Sequence, residues 1–436
     1  MNPKTAVRFP PSPTGFLQAG NVRTAVFNYL YARQQSGKFV VRIEDTDRER
    51  SKKEFEDNIM ETLEWLGFHH DAFFRQSDQV ERHKQVLKGL IEKGAAYVSK
   101  ETPAEESQRS EVIRFKNPNS DVTFTDVLRG DITVNTADLG DFVIAKSMDE
   151  PLYHLGVVVD DFDEGITHVI RGEDHISNTP RQILILRAIE APIPVYTHLP
   201  LVFGTDHKKL SKRTGAKPVL QYRDEGYLPE AVINYLALLG WHPEGEQEVF
   251  SVDELIKIFS LERIQKSSGI FDEVKLRWFN QEHLKLLSAG QLERRYSTWN
   301  GKNPEVPEAI WNVLKASCAT LGEMRQRIES GEFEFLDNAP EYSQELLLKG
   351  AKADASAVKT HLEHVRDVLR DVKLFTDTSV KDAIFGYATE VGRAAVLWPM
   401  RVALSGKEKS PDPFTLAGIL GAQKTIERIE KALSML

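Results

Sequence analysis

The chain opens on a change of period. Residues 5–9 are a short apolar run that reads as a buried strand, and residues 10–15 break it with three prolines and a glycine. From Asn21 the apolar positions Val22, Ala25, Val26, Tyr29 and Leu30 recur at helical spacing. Asn21 is the candidate N-cap and Gly37 the candidate stop. Residues 39–43 read as a second strand. Strand, helix and strand in close succession imply a parallel pair with a right-handed crossover.

Residues 51–66 predict a second helix, capped by Ser51, with Phe55, Ile59, Leu63 and Leu66 on its apolar face; residues 80–93 predict a third. Residues 99–110 are polar, contain Pro103 and read as loop. From 112 to 159 short strand-like runs dominate, at 112–115, 132–134 and 141–145, which points to a β-rich insertion. Residues 166–171 then read as a strand, 179–189 as a helix and 196–202 as a strand. This order predicts an open α/β sheet interrupted by an inserted domain. After Trp241 the pattern becomes helical. Helices are expected at 252–258, 272–280, 291–299 and 308–321, with linkers at 301–307 and 406–413 and no strand through to 436.

Length and composition narrow the class. The 436 residues suit about two to four domains, and 41% hydrophobic residues can build real cores. The net charge of −9 excludes a uniformly basic nucleic-acid binder but leaves room for RNA on local basic surfaces. The lone cysteine, Cys318, permits no disulfide within the chain and no Cys–Cys metal pair, which fits a reducing cytoplasm. The N-terminal residues carry no signal-peptide pattern, and no apolar run is long enough for a membrane span.

A loop from strand to helix at the edge of a parallel sheet is a place for a nucleotide, because helix N-termini present unpaired N–H groups to phosphates. Gly15 and Gly20 let backbone approach a ligand there, and Ser12, Thr14 and Asn21 could add donors. A structural Pro–Gly turn accounts for the loop equally well on these grounds alone. The run from Arg8 through Pro11-Ser12-Pro13-Thr14-Gly15 and Gln18-Ala19-Gly20-Asn21 to Ala25 resembles the first signature of class I glutamyl-tRNA synthetases. Later blocks of that family are similar to Arg42-Ile43-Glu44-Asp45-Thr46-Asp47, to Tyr153-His154-Leu155 with Val157-Val158-Val159-Asp160-Asp161, to His168-Val169-Ile170-Arg171-Gly172-Glu173-Asp174-His175 with Thr179-Pro180-Arg181-Gln182, and to the lysine loop Lys208-Lys209-Leu210-Ser211-Lys212-Arg213. The resemblance runs continuously over residues 5–240.

It implies a Rossmann-like class I catalytic domain (1–80 and 166–241), a mixed α/β acceptor-stem-binding insertion (81–165), a helical stem-contact region (242–305) and an all-α anticodon-binding region (306–436). It implies ATP-dependent activation of L-glutamate and transfer to tRNA(Glu) by a monomer. Lys209, Lys212 and Gln18 are the implied catalytic residues. Pro11, Ser12, Thr14, Gly15, Gln18, Gly20, Asn21, Asp174, Lys209, Ser211 and Lys212 would hold ATP. Arg8, Ser12, Glu44, Tyr153 and Arg171 would hold glutamate, Arg171 taking its side-chain carboxylate and Glu44 its ammonium. Mg²⁺ is expected with the ATP phosphates.

Two departures stand out. Gln18-Ala19-Gly20-Asn21 replaces the family's usual His-Ile-Gly-His stretch, and Gln18 cannot carry the charge of an imidazolium. The stretch after Tyr97 holds no cysteine, so no zinc is expected. Asp160-Asp161 and Glu173-Asp174 could bind metal or ribose hydroxyls, or be solvated turns. Arg325, Arg327 and Arg393 are basic candidates for anticodon contact. The alternatives are an enzyme that also charges tRNA(Gln) and an inactive RNA-binding paralogue.

Overall fold

The computed structural model describes residues 4–101, 111–208, 217–304 and 306–436. The chain packs as two compact units, residues 1–283 and 284–436.

The first unit begins β1 (Ala6–Phe9), α1 (Ala19–Gln34), β2 (Lys38–Ile43), α2 (Lys53–Trp65), β3 (Ala72–Arg75) and α3 (Val80–Glu92). The insertion adds β4 (Ala96–Lys100), β5 (Glu111–Phe115), β6 (Asp121–Asp126), β7 (Gly130–Asn135), β8 (Phe142–Ser147) and β9 (Glu150–Pro151). Then follow α4 (Tyr153–Asp163), β10 (His168–Gly172), α5 (Thr179–Ala188), β11 (Val195–Leu199), β12 (Val202–Gly204), α6 (Val219–Asp224), α7 (Pro229–Leu238), α8 (Val252–Ile258), β13 (Gly269–Phe271) and α9 (Glu273–Leu286).

β3, β2 and β1 pair in parallel, as do β10 and β11. The two groups join where the Thr167 N–H donates to the Ala6 carbonyl at 3.0 Å. The order β3-β2-β1-β10-β11 reverses direction between β1 and β10, which is where open α/β sheets bind ligands. β4, β5, β8 and β9 form a separate antiparallel sheet. The β6–β7 hairpin instead meets the parallel sheet through one residue pair, Asp126 with Tyr196.

Strand alternation decides which face each side chain takes. Val7, Phe9, Val41 and Ile170 pack in the core that contains α1 and α7. Ala6, Val40, Val169, Tyr196 and Phe124 pack in the opposite core, against α3, α4 and α5. By the same alternation Arg8, Arg42, Arg171, His198 and Asp126 belong to this second face.

Four local expectations need correction. α1 starts at Ala19, capped by Gln18 rather than Asn21. The Leu17 N–H is held by Asn58 Oδ1 at 3.0 Å and the Gln18 carbonyl takes the Val22 N–H, so the first turn closes earlier. α2 starts after Lys52 rather than Ser51, whose N–H closes a turn onto Asp47. Residues 153–163, inside the stretch read as strand-like, are helix α4; Leu155, Val158 and Val159 bury at helical spacing, and packing overrides the β propensity of the valines. β13 lies in the region expected to hold no strand, and pairs with β12.

The second unit contains, among its described residues, helices and turns: α10 (Ala289–Asn300), α11 (Glu308–Ser317), α12 (Leu321–Glu329), α13 (Gln344–Lys349), α14 (Ala355–Arg370), α15 (Asp377–Val391), α16 (Arg393–Ser405) and α17 (Pro413–Ser434). The helix expected over 308–321 ends at Ser317, because Thr320 caps α12 through the Glu323 N–H.

Candidate active site

The Pro-rich loop is pinned at both sides. The Glu44 N–H donates to the Pro11 carbonyl and the Lys52 N–H to the Pro13 carbonyl, each at 3.0 Å. The loop therefore follows the end of β2 and delivers α1 with its N-terminus at the C-terminal edge of the sheet. Gln18 is buried and makes no side-chain cap, so the first-turn N–H groups remain for another acceptor. A side chain added at Gly20 would meet nothing, which leaves room beside that turn.

The Val219 N–H donates to the Leu17 carbonyl at 2.9 Å, and Gln18 bridges Pro218. The chain beyond the lysine loop thus returns next to the Pro-rich loop. Lys209, Ser211 and Lys212 lie outside the described residues. Asp174 is in the turn after β10, and its carboxylate fills the space a Cβ on Gly172 would need (2.6 Å).

Arg8 and Arg171 are the penultimate residues of β1 and β10, flanking the point where the strand order reverses. Arg8 Nε donates to both oxygens of Asp161, at 3.1 and 3.3 Å, while its buried Nη1 has no partner. Arg171 donates through Nη1 to Gln182 at 2.8 Å, Nη2 to Thr179 at 2.7 Å and Nε to His198 at 3.2 Å. Burial lowers the Arg171 pKa, and the Arg8 charge adds to this. The two buried guanidiniums thus lie near enough for the charge of one to act on the other.

Glu44 completes the ring. It accepts from Arg42 Nη2 at 3.2 Å, and burial raises its pKa against the pull of Arg42 and Arg8. Tyr153, at the start of α4, has its hydroxyl 2.9 Å from His175 Nδ1. Burial raises the Tyr153 pKa and the charges of Glu44, Arg171 and Arg8 all reach it, so these four groups share one neighbourhood. Burial pushes His175 down to about 4, so the ring is neutral at neutral pH, and Asn178 Nδ2, which can only donate, lies 3.2 Å from its Nδ1. Ser12 is exposed on the Pro-rich loop.

Sequence reasoning left Asp160 and Asp161 open between metal or ribose ligands and a solvated turn. Both are instead buried inside the protein. Asp161 joins Arg8 to Arg42 (2.8 Å), and Asp160 takes His83 at 2.6 Å and Gln76 at 2.7 Å. Arg42, fully buried, also holds Glu164 at 2.7 Å. Gln182, Thr179, His198 and Asp126 were not singled out as site residues. The signal available for two of them was strand parity: His198 follows core Tyr196 by two, and Asp126 follows core Phe124 by two. In the second unit Arg327 is committed bidentately to Glu332, whereas Arg325 and Arg393 lie over the rings of Trp299 and Phe385.

The family of class I tRNA synthetases (E and Q), catalytic domain, matches residues 4–111 and 100–278, and an anticodon binding domain matches 281–433. A protein of Aquifex aeolicus (strain VF5) named glutamate–tRNA ligase is 39% identical over 477 aligned positions, covering 99% of each chain. A crystal structure of a glutamate tRNA ligase from Elizabethkingia meningosepticum, in complex with its amino acid, superposes with a TM-score of 0.81 at 31% identity, covering 99% of this chain and 100% of that one. A glutamate-tRNA synthetase structure from Elizabethkingia anophelis gives 0.77 at 30% identity, with the same coverage.

Proposed function

We infer, from the premise that this chain belongs to the class I tRNA synthetases of the E and Q group, that it is a glutamate–tRNA ligase whose substrate crevice lies between β1 and β10. It activates L-glutamate with ATP and transfers the glutamyl group to tRNA(Glu). In the first step a carboxylate oxygen of glutamate attacks the α-phosphorus and pyrophosphate leaves. In the second the terminal ribose hydroxyl of tRNA attacks the acyl carbon and AMP leaves.

The observation that carries the pocket assignment is the pair of buried guanidiniums, Arg8 and Arg171, with Glu44 beside them. Two cations and one carboxylate in a dry crevice complement a zwitterion with a second carboxylate. Arg8, through its unpartnered Nη1, takes one carboxylate of glutamate and Arg171 the side-chain carboxylate. Glu44 receives the ammonium, which offsets the burial that raises its pKa. Tyr153 and Ser12 close the pocket.

The ATP phosphates lie on the N-terminus of α1, over Gly20 and Asn21, with Pro11, Thr14, Gly15 and Asp174 around them. Lys209, Ser211 and Lys212 supply positive charge and a donor for the same phosphates. Positioning and charge stabilisation are the work such a site does. Among the described residues no group of three or more His, Cys, Asp or Glu could hold a metal ion, so the donor set fits Mg²⁺ only as an ion carried in on the phosphates. Held there it would draw charge off the departing pyrophosphate. The enzyme works as a monomer in the cytoplasm; its single buried cysteine, which permits no disulfide within the chain, suits the reducing compartment, and no described helix is long and apolar enough to cross a membrane.

Glutamate-dependent ATP–pyrophosphate exchange, run with and without tRNA(Glu), tests the reading, and its absence in both would sink it. Gln18→His should raise the exchange rate by roughly up to tenfold, since a charge-assisted bond to phosphate is about twice as strong as a neutral one. An unchanged or slower rate would count against a phosphate contact at Gln18.

A further inference from the structure

We propose that Asp126 and His198 act as a positioning pair that fixes Arg171 for the glutamate side chain, a role that rests on the pocket reading above. The pair joins the insertion, which carries Asp126 on β6, to the parallel sheet, which carries His198 on β11. Asp126 ends β6, and among the described residues its pairing with Tyr196 is the one register pair between β6 and the parallel sheet. His198 is in β11, fully buried on the face that carries Arg171.

The proton positions follow from the partners. Asp126 Oδ2 accepts the His198 backbone N–H at 2.9 Å and lies 2.8 Å from His198 Nδ1. Oδ1 accepts the backbone N–H groups of Leu128 at 2.9 Å and Arg129 at 3.0 Å. Burial alone would raise the Asp126 carboxyl, but these bonds hold it below its ordinary range, so it is an anion that can only accept. His198 Nδ1 therefore carries the proton, and Nε2 presents its lone pair. Arg171 Nε donates to that lone pair at 3.2 Å, and the Thr179 hydroxyl lies 3.1 Å from it.

Arg171 is thereby held along its length. His198, Thr179 and Gln182 each take one N–H, and a guanidinium has five, which leaves two for a ligand. The opposite tautomer of His198 would aim Nε2–H at Arg171 Nε–H, donor against donor, and turn the fork. Asp126 thus sets the tautomer through Oδ2 while Oδ1 keeps the Leu128 and Arg129 amides paired, two tasks that need an acceptor at both oxygens.

Asp126→Asn tests this without changing shape. Asparagine must present its N–H₂ either to His198 or to the Leu128 and Arg129 amides, and all of these already donate. In the exchange assay its KM for glutamate should rise about ten- to hundredfold, the scale of one charge-assisted hydrogen bond, with the KM for ATP within about twofold. An equal rise in both constants, or none in either, would overturn the proposal. Should Asp126→Asn fail to fold, the contrast of His198→Gln with His198→Phe carries the test. Glutamine keeps an acceptor within reach of Arg171, so its KM for glutamate should stay below that of the phenylalanine variant; equal values overturn the pair. Arg171→Lys separates the two levels of the reading. If it leaves the KM for glutamate unchanged, the pocket assignment itself fails. If it raises that KM while Asp126→Asn does not, only the positioning pair fails.

Discussion

In the first unit the guanidiniums of Arg8, Arg23, Arg42 and Arg171 are buried, whereas among the described residues of the second unit only that of Arg428 is. The partners differ in kind. Arg428 donates to backbone carbonyls, those of Leu404 at 2.5 Å and of Phe335 and Asn338 at 2.6 and 3.2 Å. Lys424 and Lys431, on the same face of α17, donate to the Leu336 and Pro340 carbonyls. The three side chains brace α17 against residues 335–340. In the first unit Arg8 and Arg42 pair with side-chain carboxylates, and donors are left over: Arg8 Nη1 and Arg23 Nε and Nη2 are buried with no hydrogen-bond partner. An unmade buried hydrogen bond costs roughly 1–3 kcal/mol. The second unit also holds buried unpartnered atoms, Trp311 Nε1, the Tyr342 hydroxyl and Arg401 Nε among them, so the kind of partner, carboxylate against backbone carbonyl, is what separates the two networks.

The sharpest way to break this comparison is to remove the shared carboxylate. Asp161→Ala leaves Arg8 and Arg42 each short of a counter-ion, and breaking a buried pair from one side costs about 3–5 kcal/mol. Urea denaturation should show the midpoint falling accordingly, with glutamate-dependent exchange lost. A midpoint within error of the parent would mean the network is solvated after all. Arg428→Met should cost less, about 1–3 kcal/mol, because it strands neutral carbonyls rather than charges. The same titration measures it, and the KM for glutamate should not move; a change there would give Arg428 more than a bracing role.

The smallest effect concerns pH. Arg8 and Arg42 face four carboxylates: Glu44, Asp160, Asp161 and Glu164. Burial first, and then the neighbouring Asp161 and Asp160, push Glu164 up to about 8 against the pull of Arg42. A carboxyl raised above its unfolded value stabilises the fold fully below the ordinary pKa of 4.5, and that contribution is lost as pH rises through about 8. Melting temperatures of the parent should therefore fall, relative to Glu164→Gln, between pH 5 and pH 8.5. Parallel curves would show that Glu164 does not hold the proton.

Much of the fold was legible because it is periodic. Alternating strand and helix patterns located the parallel sheet and its crossovers, while the two proposed N-caps, Asn21 and Ser51, gave way to Gln18 and Lys52. Misreadings came where tertiary packing outweighed local preference. The valines of α4 read as strand but are helical because Leu155, Val158 and Val159 fill one core face. The strand β13 is three residues long and exists only because β12 is there to pair with it. The N-cap of α1 moved because Asn58, far along the chain, holds Leu17.

What the sequence offered by itself is most of the order of elements and a set of candidate site residues, since both are written in local periodicity and in motifs a few residues long. What only the tertiary structure decided is which charges meet. Asp160 and Asp161 were acidic neighbours with several possible uses until α4 laid one on His83 and the other on Arg8. Asp126 and His198, 72 positions apart, showed no relation until β6 came beside β11. Hydrogen bonds and ion pairs act over a few ångströms regardless of separation along the chain. The network behind Arg171 therefore becomes readable only once the sheet has brought its members together.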